Sequence, residues 1–317
     1  MKLRNLAGGS VVCLWGAWAS LVTAQEAATA LRESKTRAGT IRQTPITLGT
    51  TLHLESQALG DTREINVWLP PSYAEGEQRY PVLYLMDGAL DQDFHHISGL
   101  AQLATINRNY EALIVVGIQT KNRIMELTQQ PLDPRYVRDP PTAGQSAKMM
   151  ELVRSEVIPL IESRYRTGER RVLMGESLAG LFVLEMFLRH PETFTDYVSV
   201  SPSLWWDDQA LAKSAGDLLA NHDDTARRLY LTMADEGGTM QAGLDLVVAA
   251  IEKETPAGLI WYYVDRRQTE THASIYHGAA LDAFRKLFGL PAPDYGEPPW
   301  YLVEGGQPPE AESREDE

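Results

Sequence analysis

Ser177 stands in Gly175-Glu176-Ser177-Leu178-Ala179-Gly180, between a short apolar run, "RVLMG", and a second run over 177–190 that is long enough for a helix. A serine hydroxyl attacks a carbonyl only when a base removes its proton. A sharp strand-to-helix turn helps by lifting the oxygen to the rim of a sheet. The strict form of that turn is G-x-S-x-G. Here Ala179 occupies the last place and the glycine comes one residue later, at Gly180. Alanine is still small, and nothing in the pattern demands a glycine-only backbone there. The competing role for Ser177 is a plain helix N-cap, for which serine is a leading choice.

A nucleophilic serine needs a base and an acid to orient it, and on α/β scaffolds they follow in the chain order Ser, Asp/Glu, His. Of the seven histidines, His222, His272 and His277 lie beyond the serine's helix. His222 precedes any acid at the end of the "RLYLTMA" run, and His277 falls inside the last predicted helix. His272 sits in the loop "DRRQTETHAS" and is the favoured base. "MADEGG" offers Asp235 and Glu236 side by side as the acid. Asp265 and Glu270, on the histidine's own loop, are weaker candidates suited to loop solvation. Charge that develops on an attacked carbonyl oxygen calls for two backbone N–H donors. Leu178 supplies one, and Gly88 or Ala89 in "DGAL" the other, with Asp87 fixing that loop.

Positioning these residues falls to a series of strands and helices. "ITLGTTLHLES" and "REINVWL" alternate around a turn at Gly60-Asp61 and predict an antiparallel pair. "PVLYLM" (81–86) and "ALIVVGI" (112–118) are continuous apolar runs, suited to strands covered on both faces. The reading continues as helix 142–165, strand "RVLMG", helix 177–190, strand "DYVSVS" and helix 207–221. Strand "RLYLTMA", helix 239–253, strand "LIWYYV" and helix 274–288 follow. The alternation predicts an α/β fold with a mostly parallel central sheet, an antiparallel N-terminal strand pair and helices on both faces. Right-handed crossovers then gather the strands' C-terminal ends on one rim.

Composition narrows the class. Lys2 and Arg4 precede "VVCLWGAWASLV" and "VTA", a charged head, a short apolar middle and a small-residue cleavage site, which predicts a secretory signal over 1–24. An N-terminal extension (25–44), a catalytic domain (45–290) and a Pro-rich acidic tail (291–317) complete the expected organisation. Cleavage would remove Cys13, the single cysteine, which excludes disulfides, thiolate catalysis and cysteine-ligated metal. The net charge of -14, taken to -16 by loss of Lys2 and Arg4, disfavours nucleic acid and anionic lipid as partners. The sequence shows no metal-binding constellation and calls for no cofactor. The mature chain is expected in the periplasm or secreted, with no membrane segment after signal cleavage.

"LPPSYAEGEQRYPVLYLMDG", "IVVGIQTKNRIMELT", "GESLAGLFVLE", "SVSPSLWW" and "ETHASIYH" together resemble the putative-esterase family of α/β hydrolases. The likeness is strongest to its siderophore-esterase-like branch, related to esterase D, feruloyl esterases and the antigen 85 acyltransferases. It runs from about Ile46 to Leu287. The resemblance implies an α/β-hydrolase fold with Ser177 as nucleophile and His272 as base. It also implies hydrolysis of a small-molecule carboxylic ester through an acyl-enzyme, on siderophore or aromatic esters. The chain departs from the family at Ala179, and the acid is not uniquely placed, since some members work with a serine–histidine pair. Trp205 and Trp206 could stack a catechol or feruloyl ring, or pack under a loop. Arg123 could pair an anionic group of the substrate, or form a loop salt bridge. Iron, in siderophore chemistry, is held by the substrate. The alternatives are acyl transfer to another acceptor at the same site, or a non-catalytic protein that binds siderophore or aromatic ligands.

Overall fold

The computed structural model describes residues 32–36, 39–107, 109–137, 144–291 and 296–308. The expected signal segment, Cys13 and the tail from residue 309 lie outside them. The chain divides into two compact units, 1–48 and 49–317. In the first, β1 (Arg32–Thr36) and β2 (Gly39–Gln43) pair antiparallel. The sequence pattern marked no element there, because these polar segments carry no alternation for a buried face to read.

In the second unit β3 (Thr50–Glu55) and β4 (Thr62–Trp68) form the expected antiparallel pair, and Gly60 takes a left-handed φ of 73° in the turn between them. The apolar runs become β5 (Tyr80–Met86) and β6 (Ile114–Ile118), every residue of both buried. β7 (Thr167–Glu176), β8 (Asp196–Val200), β9 (Arg227–Met233) and β10 (Leu259–Asp265) complete an eight-stranded sheet of order β10-β9-β8-β7-β5-β6-β4-β3. From β6 through β10 all pairings are parallel, and β4 and β3 are added antiparallel.

Side chains alternate across the sheet, as a period of two requires. In β7, Leu173 joins one apolar layer while Val172 and Met174 join the other. The first layer packs against α3 (Ser146–Glu151), α4 (Ile158–Arg164), α5 (Leu178–Arg189), α7 (Ala215–Leu219) and α8 (Gly238–Lys253). The second is covered by α1 (Phe94–Asn107) and α9 (Ile275–Phe288). α2 (Arg123–Leu127) follows β6, and α6 (Ala210–Lys213) precedes α7.

Three elements differ from the sequence expectation. α1 was not anticipated: Phe94, Ile97, Leu100 and Ala101 make its inward stripe, but two histidines and Gly99 dilute the pattern. The helix expected over 142–165 begins at Ser146 and passes through a wider π turn at Leu152–Val157 before α4. Pro159 follows that turn, and a proline has no N–H to continue the regular ladder. The helix expected over 207–221 is broken, because Asp207, Asp208 and Gln209 all take left-handed backbone (φ 49°, 50° and 64°) ahead of α6 and α7. The buried Asp207 carboxylate accepts the N–H groups of Leu132 (3.0 Å) and Asp133 (2.9 Å), so the long-range tether overrides the local helical pattern.

Candidate active site

β7 ends at Glu176, and the chain turns at Ser177 with φ 60° and ψ -116° before α5 begins at Leu178. A non-glycine residue in this region costs on the order of 1–3 kcal/mol and persists only when its surroundings over-determine it. They do so here. The Ser177 N–H donates to Val200 O (2.9 Å), while Ser177 O accepts from the N–H groups of Leu181 (2.9 Å) and Ser203 (3.0 Å). A Cβ on Gly175 would lie 2.6 Å from the Cβ of Ala179, and one on Gly180 would lie 2.7 Å from Val200 O. The alanine is therefore accommodated because Gly175 leaves room for it. The close approach to β8 falls on Gly180, one place later than in the strict motif.

His272 arrives on the β10–α9 loop, its Nε2 3.1 Å from Ser177 Oγ. Its Nδ1 lies 2.6 Å from Glu236 Oε1. Glu236 follows β9 and precedes Gly237 and Gly238, whose φ values of 62° and 51° reverse the chain into α8. Its side chain is 8% exposed, and Oε2 has no hydrogen-bond partner among the described residues. Of the two adjacent acids, the structure brings Glu236 and not Asp235 to the imidazole. Asp235 is exposed, and its N–H donates to Glu270 O (3.2 Å), which joins the two loops. The remaining candidates are engaged elsewhere. Asp265 pairs with Arg267, Glu270 accepts from Ser274 Oγ (2.6 Å), His277 Nδ1 faces His96 Nε2 (2.8 Å), and His222 Nε2 lies 3.2 Å from Leu188 O.

The expected oxyanion donors fare differently. Leu178 is the first helical residue, so no carbonyl of its own helix lies four residues back to accept its N–H. The Gly88 N–H is not available: it donates to Ile118 O (2.8 Å), extending the β5–β6 ladder past Met86. Gly88 is needed there for space, since a Cβ would come within 2.3 Å of Gly117 Cα. The Ala89 N–H is held by Gln92 Oε1 (3.0 Å), whose Nε2 binds Thr120 O (2.8 Å). Leu178 is thus the one candidate donor of the three without a competing acceptor among the described residues.

Arg123 forms the loop salt bridge, with Nε 2.8 Å from Asp87 Oδ2 and Nη2 3.5 Å from Glu176 O. Asp87 also accepts from Thr120 Oγ1, which ties the β5 and β6 loops together. Trp206 is buried and donates its indole N–H to Gln129 O (3.1 Å), so it packs under a loop rather than lining the rim. Trp205 is half-buried and stacks on Tyr136 with ring centroids 6.3 Å apart.

Four other residues on this rim carried no functional mark in the sequence. Ser203 is buried, with Oγ 3.3 Å from Ser177 Oγ; the quoted "SVSPSLWW" contained it, but one serine among three carries no mark. Glu176 was visible beside the nucleophile, and burial with the negative charge of Asp93 pushes its carboxyl up to about 7. Burial, and then Asp87, likewise pushes Asp93 up to about 6. Tyr276 is buried at the start of α9, and burial raises its phenol well above the usual range.

A mostly parallel sheet with a serine on a strained turn, and a histidine and a carboxylate on successive later loops, defines an α/β-hydrolase fold. The chain belongs to the Putative esterase family, whose model matches residues 56–287. It is 28% identical over 158 residues to the uncharacterized protein YbbA of Bacillus subtilis, a match covering 49% of this chain and 62% of that relative. It is 26% identical over 202 residues to the ferri-bacillibactin esterase BesA of the same organism, covering 52% of this chain and 70% of BesA. The crystal structure of an IroE-like serine hydrolase from Shewanella oneidensis superposes with a TM-score of 0.67 at 29% identity, over 76% of this chain and 80% of that one. Among the described residues no helix is long and apolar enough to cross a membrane, and no group of three or more His, Cys, Asp or Glu is arranged to hold a metal ion.

Proposed function

We propose that this chain is a secreted or periplasmic serine esterase that hydrolyses small-molecule carboxylic esters through an acyl-enzyme. The observation that carries the reading is the unbroken series Ser177 Oγ, His272 imidazole, Glu236 carboxylate, at 3.1 Å and 2.6 Å. Ser177 Oγ bonds to the ester carbonyl carbon as its proton passes to His272 Nε2. Glu236 accepts from Nδ1–H and stabilises the resulting imidazolium. The Leu178 N–H donates to the tetrahedral oxyanion. Collapse expels the alcohol, which takes the proton from Nε2, and water activated by the same imidazole releases the acid. Similarity to the ferri-bacillibactin esterase BesA and the half-exposed Trp205–Tyr136 pair support an ester with a siderophore or aromatic component.

The test is Ser177→Ala assayed against p-nitrophenyl acetate, together with labelling by a fluorophosphonate. The expected result is loss of turnover by at least about a thousandfold, with the label found on Ser177 in the unmutated chain. Retained turnover, or no labelling of the native protein, would remove the serine from the chemistry. An alcohol added in competition with water distinguishes hydrolysis from transfer to another acceptor.

A further inference from the structure

Glu176 is two residues past Met174 on β7, so its side chain projects to the same face of the sheet, toward α1 and α9. The N-terminal ends of both helices lie on that side. Asp93 immediately precedes α1, where its carbonyl accepts the Ile97 N–H (3.1 Å) and its own N–H donates to Asp87 O (2.9 Å). Tyr276 is the second residue of α9 and is 8% exposed. The Tyr276 hydroxyl has no hydrogen-bond partner among the described residues, and the charges acting on it are those of Asp93, Glu176 and Asp87.

The charges on this side of the serine do not balance. Among the described residues Arg123 is the one cation whose charge acts on Glu176 and Asp93, and it is paired to Asp87. Among the described residues the Asp93 and Glu176 carboxyls have neither a hydrogen bond nor an ion pair, although both are partly accessible to solvent. Contacts on this side tie the groups together: Arg123 reaches both Glu176 O and the Asp87 carboxylate, Asp87 O accepts the Asp93 N–H, and the Tyr276 ring lies 5.3 Å from that of His96 in the first turn of α1. Two carboxylates and a buried hydroxyl, none with a donor among the described residues, thus lie beside the nucleophile's turn. An alkylammonium presents three N–H donors and one positive charge.

We propose that Glu176, Asp93 and Tyr276 form a subsite for a primary ammonium group carried by the ester that Ser177 cleaves. The proposal rests on the esterase reading and narrows its substrate class to amine-bearing esters. The Trp205–Tyr136 pair packs against the first apolar layer, so the two faces of the sheet beside the serine differ, acidic on the α1/α9 face and aromatic on the other. The electrostatics agree. Burial and the charge of Asp93 hold Glu176 near 7, and burial and the charge of Asp87 hold Asp93 near 6, with Arg123, Glu236 and Asp87 the other charges acting on Glu176 and the paired His96 and His277 rings beside Tyr276 further titratable groups on this face. A bound ammonium favours the ionised carboxylates, so it releases protons and binds more tightly at about pH 8 than at about pH 6.

The experiment compares kcat/KM for p-nitrophenyl 3-aminopropanoate with that for its neutral isostere, p-nitrophenyl butanoate. It is run in the native chain and in Glu176→Gln and Asp93→Asn. The expected ratio, corrected for the uncatalysed hydroxide rates, favours the ammonium ester by about tenfold at pH 8 and falls toward parity in both variants. n-Propylammonium should compete with butanoate in the native chain, and less well at pH 6. Calorimetric titration with n-propylammonium reads the subsite without turnover. Binding to the native chain that weakens in Glu176→Gln supports the proposal even if neither ester is cleaved, an outcome that would overturn the esterase reading alone. A ratio unaffected by both substitutions, or no n-propylammonium binding to the native chain, overturns the subsite.

Discussion

Replacing Glu236 by Gln keeps the shape of the side chain and removes its charge, and the structure indicates how that change should act. Oε1 meets His272 Nδ1 at 2.6 Å, while Oε2 is buried without a partner among the described residues. A glutamine there must choose which end faces the ring. With oxygen inward, both amide hydrogens take the buried Oε2 position, which has no hydrogen-bond partner among the described residues. With nitrogen inward, one hydrogen reaches Nδ1 and the carbonyl occupies a position already unpaired in the native protein. An unsatisfied buried donor costs about 1–3 kcal/mol, so the second orientation should dominate. It places the ring proton on Nε2, where it faces Ser177 Oγ and blocks proton acceptance. Loss of the carboxylate also removes the stabilisation of the imidazolium. Together these effects should lower kcat by about 10³- to 10⁴-fold, or roughly 4–5.5 kcal/mol, the scale seen when the acid of a serine triad is converted to its amide. Initial rates with p-nitrophenyl acetate, alongside thermal unfolding to check the fold, measure it. If a correctly folded Glu236→Gln enzyme kept its rate within tenfold of the native value, Glu236 would not be orienting His272.

The elbow makes a paired prediction. Gly175→Ala should destabilise by about 1–3 kcal/mol in urea titration and slow fluorophosphonate labelling, because the added methyl meets Ala179 at 2.6 Å. Ala179→Gly, which restores the strict motif, should leave turnover within about twofold and lower stability by only about 0.5–1 kcal/mol. Glu126→Ala should cost about 1–3 kcal/mol in chemical denaturation, because it strips two charge-assisted hydrogen bonds (2.8 and 2.9 Å) from the buried Arg63 guanidinium, which keeps Asp61 as its remaining partner. Stability should also fall as pH rises. Glu176 and Asp93, with folded pKa values of about 7 and 6, hold protons in the folded state that the unfolded chain has released. Their contribution is complete below about pH 4 and lost as pH climbs through 6 to 7. For Glu176 it is on the order of 2 kcal/mol after allowance for partial solvation. Melting curves across this range should flatten in Glu176→Gln.

Much of the scaffold was legible in one dimension. The apolar runs that became β5 and β6 were continuous because both faces are covered. Strand–helix alternation from residue 146 onward reported the parallel sheet. α1 was less legible because its inward stripe is interrupted by polar residues that face the rim and by Gly99. The break at Asp207–Gln209 had no local mark, since it follows from a carboxylate tethering a loop seventy-odd residues earlier in the chain.

The candidate site divides in the same way. Residue types, small neighbours and chain order pointed to Ser177 and His272, because a strand-end turn and the order of crossovers are properties of the chain itself. Asp235 and Glu236 are chemically near-equivalent neighbours, and only the path of the β9–α8 loop, fixed by the Asp235 amide on Glu270 O and the two left-handed glycines after Glu236, turned the second toward the imidazole. Backbone amides carry no residue signature, so the engagement of Gly88 by β6 and of Ala89 by Gln92 could not be read from letters. Nor could the convergence of Glu176, Asp93 and Tyr276, which come from three separate elements. By itself the sequence determined most strands of the sheet, their order, and Ser177 and His272 as the candidate nucleophile and base, because periodicity and turn chemistry are local. Tertiary structure alone decided which acid meets the imidazole, which candidate amide stays without a competing acceptor among the described residues and which neighbours surround the serine, because those depend on loop backbone and on contacts between distant segments.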